Sequence, residues 1–220
     1  MRTIVFDLDG TLADTSGDLL AAANACFADM GHGPLLGRED QAVAFSGGRG
    51  MLAEGLRRTG HSDPGPVIDR YYPILLDAYR DAICVHTTLY PGAVDAIKAL
   101  RASGARTAIC TNKPEGLARI LLDQLGVADL FDALVGADTL RTRKPDPAPF
   151  VASVQRAGGR VEASCLIGDT QTDRDTARAA GVPCVLVSFG PEGAEIARLA
   201  PHALLDHFDD LQRVVAKVLD

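Results

Sequence analysis

The sequence has no long run of basic residues, and its 220 residues carry a formal net charge of −7. It therefore lacks the basic patch by which nucleic-acid-binding proteins hold a phosphate backbone. We expect no nucleic-acid partner. A single cationic pocket could still bind a small anionic substrate.

Long hydrophobic runs are also missing. No apolar segment approaches the ~20 residues needed to span a bilayer, and the N-terminus lacks the charged and apolar regions of a secretory signal. These features predict no membrane association and a cytoplasmic location. No internal repeat or low-complexity segment is present.

Cysteine is sparse and shows no paired spacing. The five cysteines are odd in number and never form a Cys-x-x-Cys pair, which argues against a zinc site or a disulfide framework. Three of them lie in apolar, strand-like stretches, where a reduced cysteine behaves as a small buried hydrophobe. A reducing cytoplasm suits this usage. The five residues are Cys26, Cys84, Cys110, Cys165 and Cys184.

The hydrophobic content of 47% is enough for a sizeable core, and its pattern predicts an α/β fold. Short apolar, β-branched runs alternate with amphipathic helical patterns from residue 105 onward. This alternation predicts a doubly wound, Rossmann-like parallel sheet with helices on both faces. The predicted strands cover residues 3–7, 107–111, 133–136, 165–169, 184–188 and 203–206.

The segment from residue 15 to 87 breaks this alternation. It contains helical patterns near 17–30, 49–59 and 67–82, and it has no convincing strand. We interpret it as a small helical cap domain inserted into a Rossmann-like core formed by residues 1–14 and 88–220.

Polar side chains follow the ends of several predicted strands. In open α/β sheets, ligands bind at the carboxyl ends of the strands, so these residues are the first candidates for a functional site. They are Asp7 and Asp9, then Thr111, Asn112 and Lys113, then Lys144, and finally Asp169 and Asp173.

The first acidic pair predicts a metal. Residues two apart on a strand point to the same side, so Asp7 and Asp9 could share a face. With Asp169 and Asp173, up to four negative charges would meet in one crevice, which is unfavourable without positive charge. A hard divalent cation with oxygen ligands, together with Lys144, would offset them. Mg²⁺ fits best, since it binds through one or two carboxylates, waters and a substrate phosphate.

Such a site suits phosphoryl transfer, where positioning and charge stabilisation supply most of the catalysis. In this hypothesis Asp7 attacks phosphorus, while Asp9 protonates the leaving alkoxide and later activates water. Thr111 and Asn112 would bind phosphoryl oxygens. Lys144 would stabilise the charge on the nucleophile and the phosphoryl group.

Four short segments, in this order, resemble the four motifs of the haloacid dehalogenase superfamily: "DLDGTLADT", "TNK", "KPDP" and "GDTQTD". They span residues 7 to 173. The resemblance implies that Asp7 is the nucleophile and Asp9 the acid/base. It implies Mg²⁺ bound by the Asp7 carboxylate, the Asp9 backbone carbonyl and Asp169, with Asp173 supporting the metal or Lys144 from behind. The helical insertion resembles the C1 cap type of this superfamily.

The second acid separates branches of this superfamily. The dehalogenases lack an acid at the Asp9 position, so its presence favours a phosphatase. "TNKP", the run "GDLLAAAN" and the cap loop "SGGRG" look most like bacterial phosphoglycolate phosphatases, which implies 2-phosphoglycolate as substrate. Two alternatives stay open: a phosphomutase of the same superfamily, similar to β-phosphoglucomutase, and a receiver-type regulatory protein with a phospho-acceptor aspartate.

The cap loop "SGGRG", residues 46–50, is a candidate substrate-binding loop. The amides of Gly47 and Gly48 open a predicted helix and could bind an anion, and Arg49 could pair with a substrate carboxylate. A glycine-rich helix start in a hinge would have the same sequence. The roles of Lys113 and Asp14 stay open at this stage, and we expect a monomer or a homodimer that acts on a small phosphorylated metabolite.

Overall fold

The computed structural model describes residues 1–219, and the chain divides into two compact units. The first unit, here called the core unit, comprises residues 1–14 and the described residues from Leu89 onward. The second, here called the cap unit, is Thr15–Thr88. No helix within residues 1–219 has both the length and the apolar character that crossing a membrane requires.

Eight strands form within the described residues. In chain order they are β1 (Thr3–Phe6), β2 (Ala13–Asp14), β3 (Thr88–Leu89), β4 (Arg106–Cys110), β5 (Ala133–Val135), β6 (Ser164–Gly168), β7 (Cys184–Val187) and β8 (Ala203–Leu205). Six of them form one sheet in the order β5-β4-β1-β6-β7-β8, and every neighbouring pair is parallel. The predicted doubly wound, Rossmann-like fold class is confirmed.

Nine α-helices accompany the strands over the same residues. They are α1 (Ser16–Asp29), α2 (Gln41–Ala44), α3 (Gly48–Arg58), α4 (Gly65–Asp81), α5 (Ala93–Ala102), α6 (Glu115–Gln124), α7 (Ala148–Arg156), α8 (Gln171–Ala180) and α9 (Leu211–Leu219). Short 3₁₀ turns lie at Arg38–Asp40, Ala128–Leu130, Val161–Ala163, Gly193–Leu199 and Phe208–Asp210.

The central strands form because their side chains are apolar on both faces. Ile4, Val5 and Phe6 of β1 are fully buried, as expected for a parallel strand covered by helices on both sides. Val5 packs in a cluster that includes Leu166 of β6 and Phe150 of α7.

The strand order positions the site. β1 pairs with β4 on one side and with β6 on the other, with Thr3 opposite Arg106 and Ser164. The chain moves outward from β1 in one direction and then returns to continue in the other, so a topological switch point lies beside β1. In such sheets the ligand crevice is found there, outside the carboxyl ends of the strands.

The cap unit contains helices α1 to α4. Phe27 of α1 packs so closely on Gly55 of α3 that a Cβ atom at Gly55 would overlap its ring. Asp18 is buried near the start of α1, and its carboxylate accepts the backbone N–H groups of Val85, His86 and Thr87. These bonds fix the end of the unit to its first helix.

Candidate active site

Asp7 directly follows β1 and is nearly buried, with 9% of its surface exposed. Its backbone N–H donates to the Ile167 carbonyl at 2.8 Å, which continues the β1–β6 ladder to the carboxyl edge of the sheet. Oδ1 accepts the Leu8 N–H at 2.8 Å, and Oδ2 lies 3.0 Å from Nζ of Lys144. The carboxylate is therefore held in one orientation by groups on both of its oxygens.

Lys144 is a buried cation between two acids. Its Nζ lies 2.6 Å from Oδ1 of Asp173 and 3.0 Å from Oδ2 of Asp7. Burial by itself would lower the pKa of Lys144, but the carboxylates of Asp173 and Asp7 outweigh it and hold the pKa above its usual value. The residue therefore places a permanent positive charge beside Asp7.

Asp169 follows β6 and carries an unsatisfied acceptor. Thr11 Oγ1 donates to Asp169 Oδ1 at 2.7 Å, whereas Asp169 Oδ2 is buried without a hydrogen-bond partner among the described residues. A buried carboxylate oxygen without a partner is costly. It marks a position where a further group, such as a cation, fits.

The three acids at this edge form a compact cluster. Ligand oxygens of Asp7, Asp169 and Asp173 lie within 4.8 Å of one another. Burial, opposed by Lys144 and aided by the other acids, raises the pKa of Asp7 to about 6. Burial and then the charges of Asp173 and Asp7 also raise the pKa of Asp169. The ammonium of Lys144 balances only part of the negative charge of the three carboxylates. The carboxylate oxygens of the cluster are ligands that suit a hard divalent cation.

Asp173, in the first turn of α8, contacts both Lys144 and the backbone of Asp169. Besides Lys144, its carboxylate accepts from the backbone N–H of Asp169 at 3.3 Å and of Thr170 at 3.1 Å. A Cβ atom at Gly168 would overlap the Asp173 side chain, so the residue before Asp169 has to be glycine for this packing. Asp173 thus positions Lys144 and the Asp169 backbone at once.

Two further glycines leave room for Asp169. Gly10 turns the chain after the first acidic pair with φ +78°, and a Cβ atom there would overlap the Asp169 carboxylate. At Gly190, a Cβ atom would lie 3.0 Å from the Gly10 carbonyl oxygen and 3.3 Å from Asp169 Cβ. The sequence did not identify Gly190 or the Thr11 hydroxyl, whose contacts join segments far apart in the chain.

Thr111 and Asn112 follow β4 at the same edge of the sheet. The Thr111 N–H donates to the Val135 carbonyl at 3.0 Å, and its Oγ1 accepts the Lys113 N–H at 3.1 Å. A hydroxyl oxygen that accepts this bond still has its own hydrogen to donate to a ligand. The Asn112 side-chain amide donates to the Lys144 carbonyl at 3.1 Å, which joins the second and third motifs.

A second lysine, Lys113, lies against Asp9. Oδ1 of Asp9 lies 2.9 Å from Nζ of Lys113, and the Lys113 side chain is only 4% exposed. The two acids that open the site are thus held by two different lysines. The sequence left Lys113 unassigned, and the signal that could have identified it is its place in a polar run directly after a buried strand.

The predicted substrate-binding residues of the cap loop lie in the cap unit. Gly47, with φ +86°, caps the N-terminus of α3, and Gly48 begins that helix. The Arg49 guanidinium lies 2.8 Å from Asp69 Oδ1 and 5.0 Å from the centre of the Tyr72 ring, and both charged side chains are more than half exposed. Arg49 therefore has a carboxylate partner within its own unit.

A family model for haloacid dehalogenase-like hydrolases matches residues 1–181. The chain belongs to this family. The resemblance carried by the four motifs is confirmed, and membership in this family removes the receiver-type alternative.

Relatives that match nearly the whole chain include a phosphoglycolate phosphatase from Mesorhizobium japonicum, 38% identical over 216 residues, which cover 98% of this chain and 95% of the relative. A predicted phosphoglycolate phosphatase from Haemophilus somnus shares the fold, with a TM-score of 0.83, 24% identity and 97% of each chain covered. CbbY from Rhodobacter sphaeroides, solved in complex with phosphate, has a TM-score of 0.76 and 26% identity over 96% of each chain. The chain is accordingly an enzyme of the phosphatase type, similar to the phosphoglycolate phosphatases.

Proposed function

We propose that the protein is a Mg²⁺-dependent phosphomonoester hydrolase that acts through an aspartyl-phosphate on Asp7, with 2-phosphoglycolate as its substrate. The observation that carries the proposal is the setting of Asp7. Its carboxylate lies at the carboxyl edge of the central strand, 3.0 Å from a buried ammonium and in one acidic cluster with Asp169. Carboxylates so placed are suitable nucleophiles for phosphoryl transfer.

The reaction divides into two displacements at phosphorus. In the first, an Asp7 oxygen forms a bond to phosphorus, the ester P–O bond breaks, and Asp9 gives its proton to the departing alkoxide. In the second, Asp9 takes a proton from a water whose oxygen attacks phosphorus, the bond to Asp7 breaks, and inorganic phosphate leaves. Asp9 thus acts first as general acid and then as general base.

The groups around Asp7 are suited to bind the phosphoryl oxygens. Thr111 can donate its hydroxyl hydrogen, because Oγ1 already accepts from Lys113 and is thereby oriented. The Asn112 side-chain amide donates one hydrogen to the Lys144 carbonyl and has a second one for the substrate. Lys144 supplies a fixed positive charge that stabilises the negative charge on the nucleophile and the phosphoryl group in the transition state.

The metal would be held by the carboxylates of Asp7 and Asp169 and by the backbone carbonyl of Asp9. Support comes from the unpartnered Asp169 Oδ2 within the acidic cluster. When bound, Mg²⁺ neutralises charge on the phosphoryl group and on the nucleophile. Asp173 lies behind this set and holds Lys144 and the Asp169 backbone in place.

The choice of 2-phosphoglycolate rests on relatives and on the cap loop. The relative from Mesorhizobium japonicum, which matches 98% of the chain, is named as a phosphoglycolate phosphatase. Arg49, near the start of α3, provides a guanidinium that could exchange its exposed partner Asp69 for a substrate carboxylate. The amides of Gly47 and Gly48 at this helix start would add hydrogen-bond donors.

A panel assay tests the proposal. Phosphate release is measured for 2-phosphoglycolate, sugar phosphates, pyrophosphate and p-nitrophenyl phosphate, each with Mg²⁺ and with a chelator. The expected result is Mg²⁺-dependent release with the highest kcat/KM for 2-phosphoglycolate. A sugar phosphate with a higher kcat/KM would refute the substrate, and metal-independent release would refute the cofactor. Conversion of a hexose 1-phosphate to its isomer would instead identify a phosphomutase.

A further inference from the structure

We propose that Lys113 is a positioning residue for Asp9, fixing the acid/base carboxylate at the leaving-group side of the site. The inference rests on the proposed role of Asp9. It starts from the ion pair between Lys113 Nζ and Asp9 Oδ1, which are 2.9 Å apart. Lys113 is not among the residues proposed above as the nucleophile, the metal ligands or the phosphate-binding groups.

Lys113 is buried in a manner that requires an anionic partner. Its side chain is 4% exposed, and an ammonium taken out of water is strongly unfavourable unless a charge or several acceptors compensate it. Asp9 provides that charge when it is ionised, and when Oδ2 carries the proton for the alkoxide, Oδ1 can still accept a hydrogen bond from Lys113; 19% of the Asp9 side chain is exposed. The pair is thus asymmetric, since the lysine is enclosed and the acid reaches solvent, where a substrate would arrive.

The backbone that carries Lys113 is fixed on both sides. Its N–H donates to Thr111 Oγ1 at 3.1 Å, and its carbonyl accepts the Ala137 N–H at 2.9 Å. Gly136 packs against the same segment so closely that a Cβ atom there would come within 2.8 Å of the Lys113 carbonyl oxygen. The loop after β5 therefore holds Lys113 against movement.

The backbone that carries Asp9 is fixed in the same way. A tight turn follows it, in which the Gly10 N–H donates to the Ala13 carbonyl at 2.9 Å and the Leu12 N–H donates to the Leu8 carbonyl at 3.0 Å. With both backbones immobile, the remaining freedom of Asp9 lies in its side-chain torsions. The bond to Lys113 restricts those torsions to one orientation.

The division of the two lysines supports a role specific to proton transfer. Lys144 contacts Asp7 and Asp173, whereas Lys113 contacts Asp9. A displacement of about 1 Å in a catalytic group can lower a rate by about 100-fold. Loss of Lys113 should thus impair the step in which the alkoxide is protonated and leave phosphate binding intact.

A double-mutant cycle tests this with wild type, K113M, D9N and K113M/D9N. K98M serves as the matched control, because Lys98 is an exposed lysine on α5. Phosphate release is followed with 2-phosphoglycolate and with p-nitrophenyl phosphate, whose leaving group needs little protonation. Thermal unfolding of every variant checks the fold, and Lys113→Gln replaces K113M if that variant does not fold.

The expected result is that K113M lowers kcat for 2-phosphoglycolate by about 10- to 100-fold with KM changed less than twofold. The loss with p-nitrophenyl phosphate should be several-fold smaller. In the D9N background, K113M should change the p-nitrophenyl phosphate rate by less than twofold, because residues that act through one another are not additive. K98M should match wild type.

Equal fold-losses in the wild-type and D9N backgrounds would overturn the inference, since Lys113 would then act without Asp9. A raised KM for 2-phosphoglycolate at unchanged kcat would also overturn it and make Lys113 a substrate-binding residue. If D9N turns over too slowly to measure, the inference is overturned when K113M keeps kcat for both substrates within twofold of wild type. Absence of phosphatase activity in the wild type would instead refute the proposed function, so the two failures are distinguishable.

Discussion

Lys144 and Asp173 form a buried ion pair, with Nζ 2.6 Å from Oδ1 and both side chains at most 2% exposed. Lys144 comes from the loop before α7 and Asp173 from the first turn of α8, and their pairing places the ammonium against Asp7. The position of the Lys144 ammonium beside Asp7 therefore depends on Asp173.

Replacing Asp173 with asparagine tests this dependence. The change keeps the side-chain shape but removes the charge opposite Lys144, so we expect kcat to fall about 10- to 100-fold, as is typical when a supporting group of a catalytic site is lost. We also expect the free energy of unfolding to fall by about 1–2 kcal/mol, because Lys144 loses its hydrogen bond to a carboxylate and keeps Asp7 as its charged partner. Phosphate release and urea unfolding measure the two effects, with Asp123→Asn on α6 as an exposed control. Unchanged kcat would contradict the positioning role.

Replacing Asp7 with asparagine should abolish turnover while the fold stays intact. Asparagine has the same shape and retains an oxygen that can accept the Leu8 N–H, but its amide cannot form the phosphoryl intermediate. Phosphate release should drop below detection with every substrate, while circular dichroism and a cooperative thermal transition should show that the variant is folded. A variant with normal turnover would rule out Asp7 as the nucleophile.

Arg49 and Asp69 offer a matched pair of variants for the cap loop. Arg49→Ala should raise KM for 2-phosphoglycolate far more than KM for p-nitrophenyl phosphate, which has no carboxylate. Asp69→Ala removes the partner of Arg49 and should lower KM for 2-phosphoglycolate. The exposed pair contributes only about 0–1 kcal/mol, so its exchange for a substrate carboxylate is inexpensive. Equal effects of Arg49→Ala on both substrates would refute the role.

Asp132 lies outside the candidate site and has a lowered pKa, which predicts that its contribution to stability depends on pH. Burial opposes its ionisation, but hydrogen bonds from Arg101 and the Thr107 N–H lower its pKa below the usual value. A group with a lowered folded-state pKa stabilises above its unfolded pKa of about 3.9, and this contribution is lost as pH falls through the folded-state pKa. Asp132→Asn should therefore lower the free energy of unfolding by about 1–2 kcal/mol at pH 7.

Urea unfolding of wild type and Asp132→Asn at pH 7 and at a pH below the folded-state pKa measures this difference. The two proteins should converge at the lower pH, because Asp132 is then protonated in both the folded and the unfolded chain. A difference of the same size at both pH values would show that the charge of Asp132 contributes nothing. Asp129→Asn, at a neighbouring surface position, controls for charge removal alone.

The parallel sheet could be predicted because its strands are local patterns. The apolar runs at 3–7, 107–111 and 165–169 became β1, β4 and β6 with their ends shifted by about one residue. Polar residues follow each of these strands in the sequence. Because the strands are parallel, these residues lie at the same edge of the sheet. The long cap helices were predictable from their periodicity for the same reason. Helix α4 continues through Pro73, which its apolar pattern also predicted.

The contacts between distant segments could not be predicted from patterns. The pairing of Lys113 with Asp9 joins residues 104 positions apart, and only the fold sets which lysine meets which acid. Short elements such as α2 and β2 were missed, since four or two residues give no measurable periodicity. The Gly190 contact was missed because the sequence does not distinguish a loop glycine that allows a turn from one that allows another segment to pack closely.

The strand that precedes Asp7 gains its neighbouring strands late during synthesis. β1 pairs with β4 and β6, so these neighbours are about 100 and 160 residues away in the chain. Contacts at such separations slow folding, because a long loop must close before they form. A ribosome-bound chain must therefore keep an apolar N-terminal strand unpaired until more than 100 residues have emerged. The acidic cluster around Asp7 can assemble only after residues 164–173 have been made, because Asp169 and Asp173 lie in that segment.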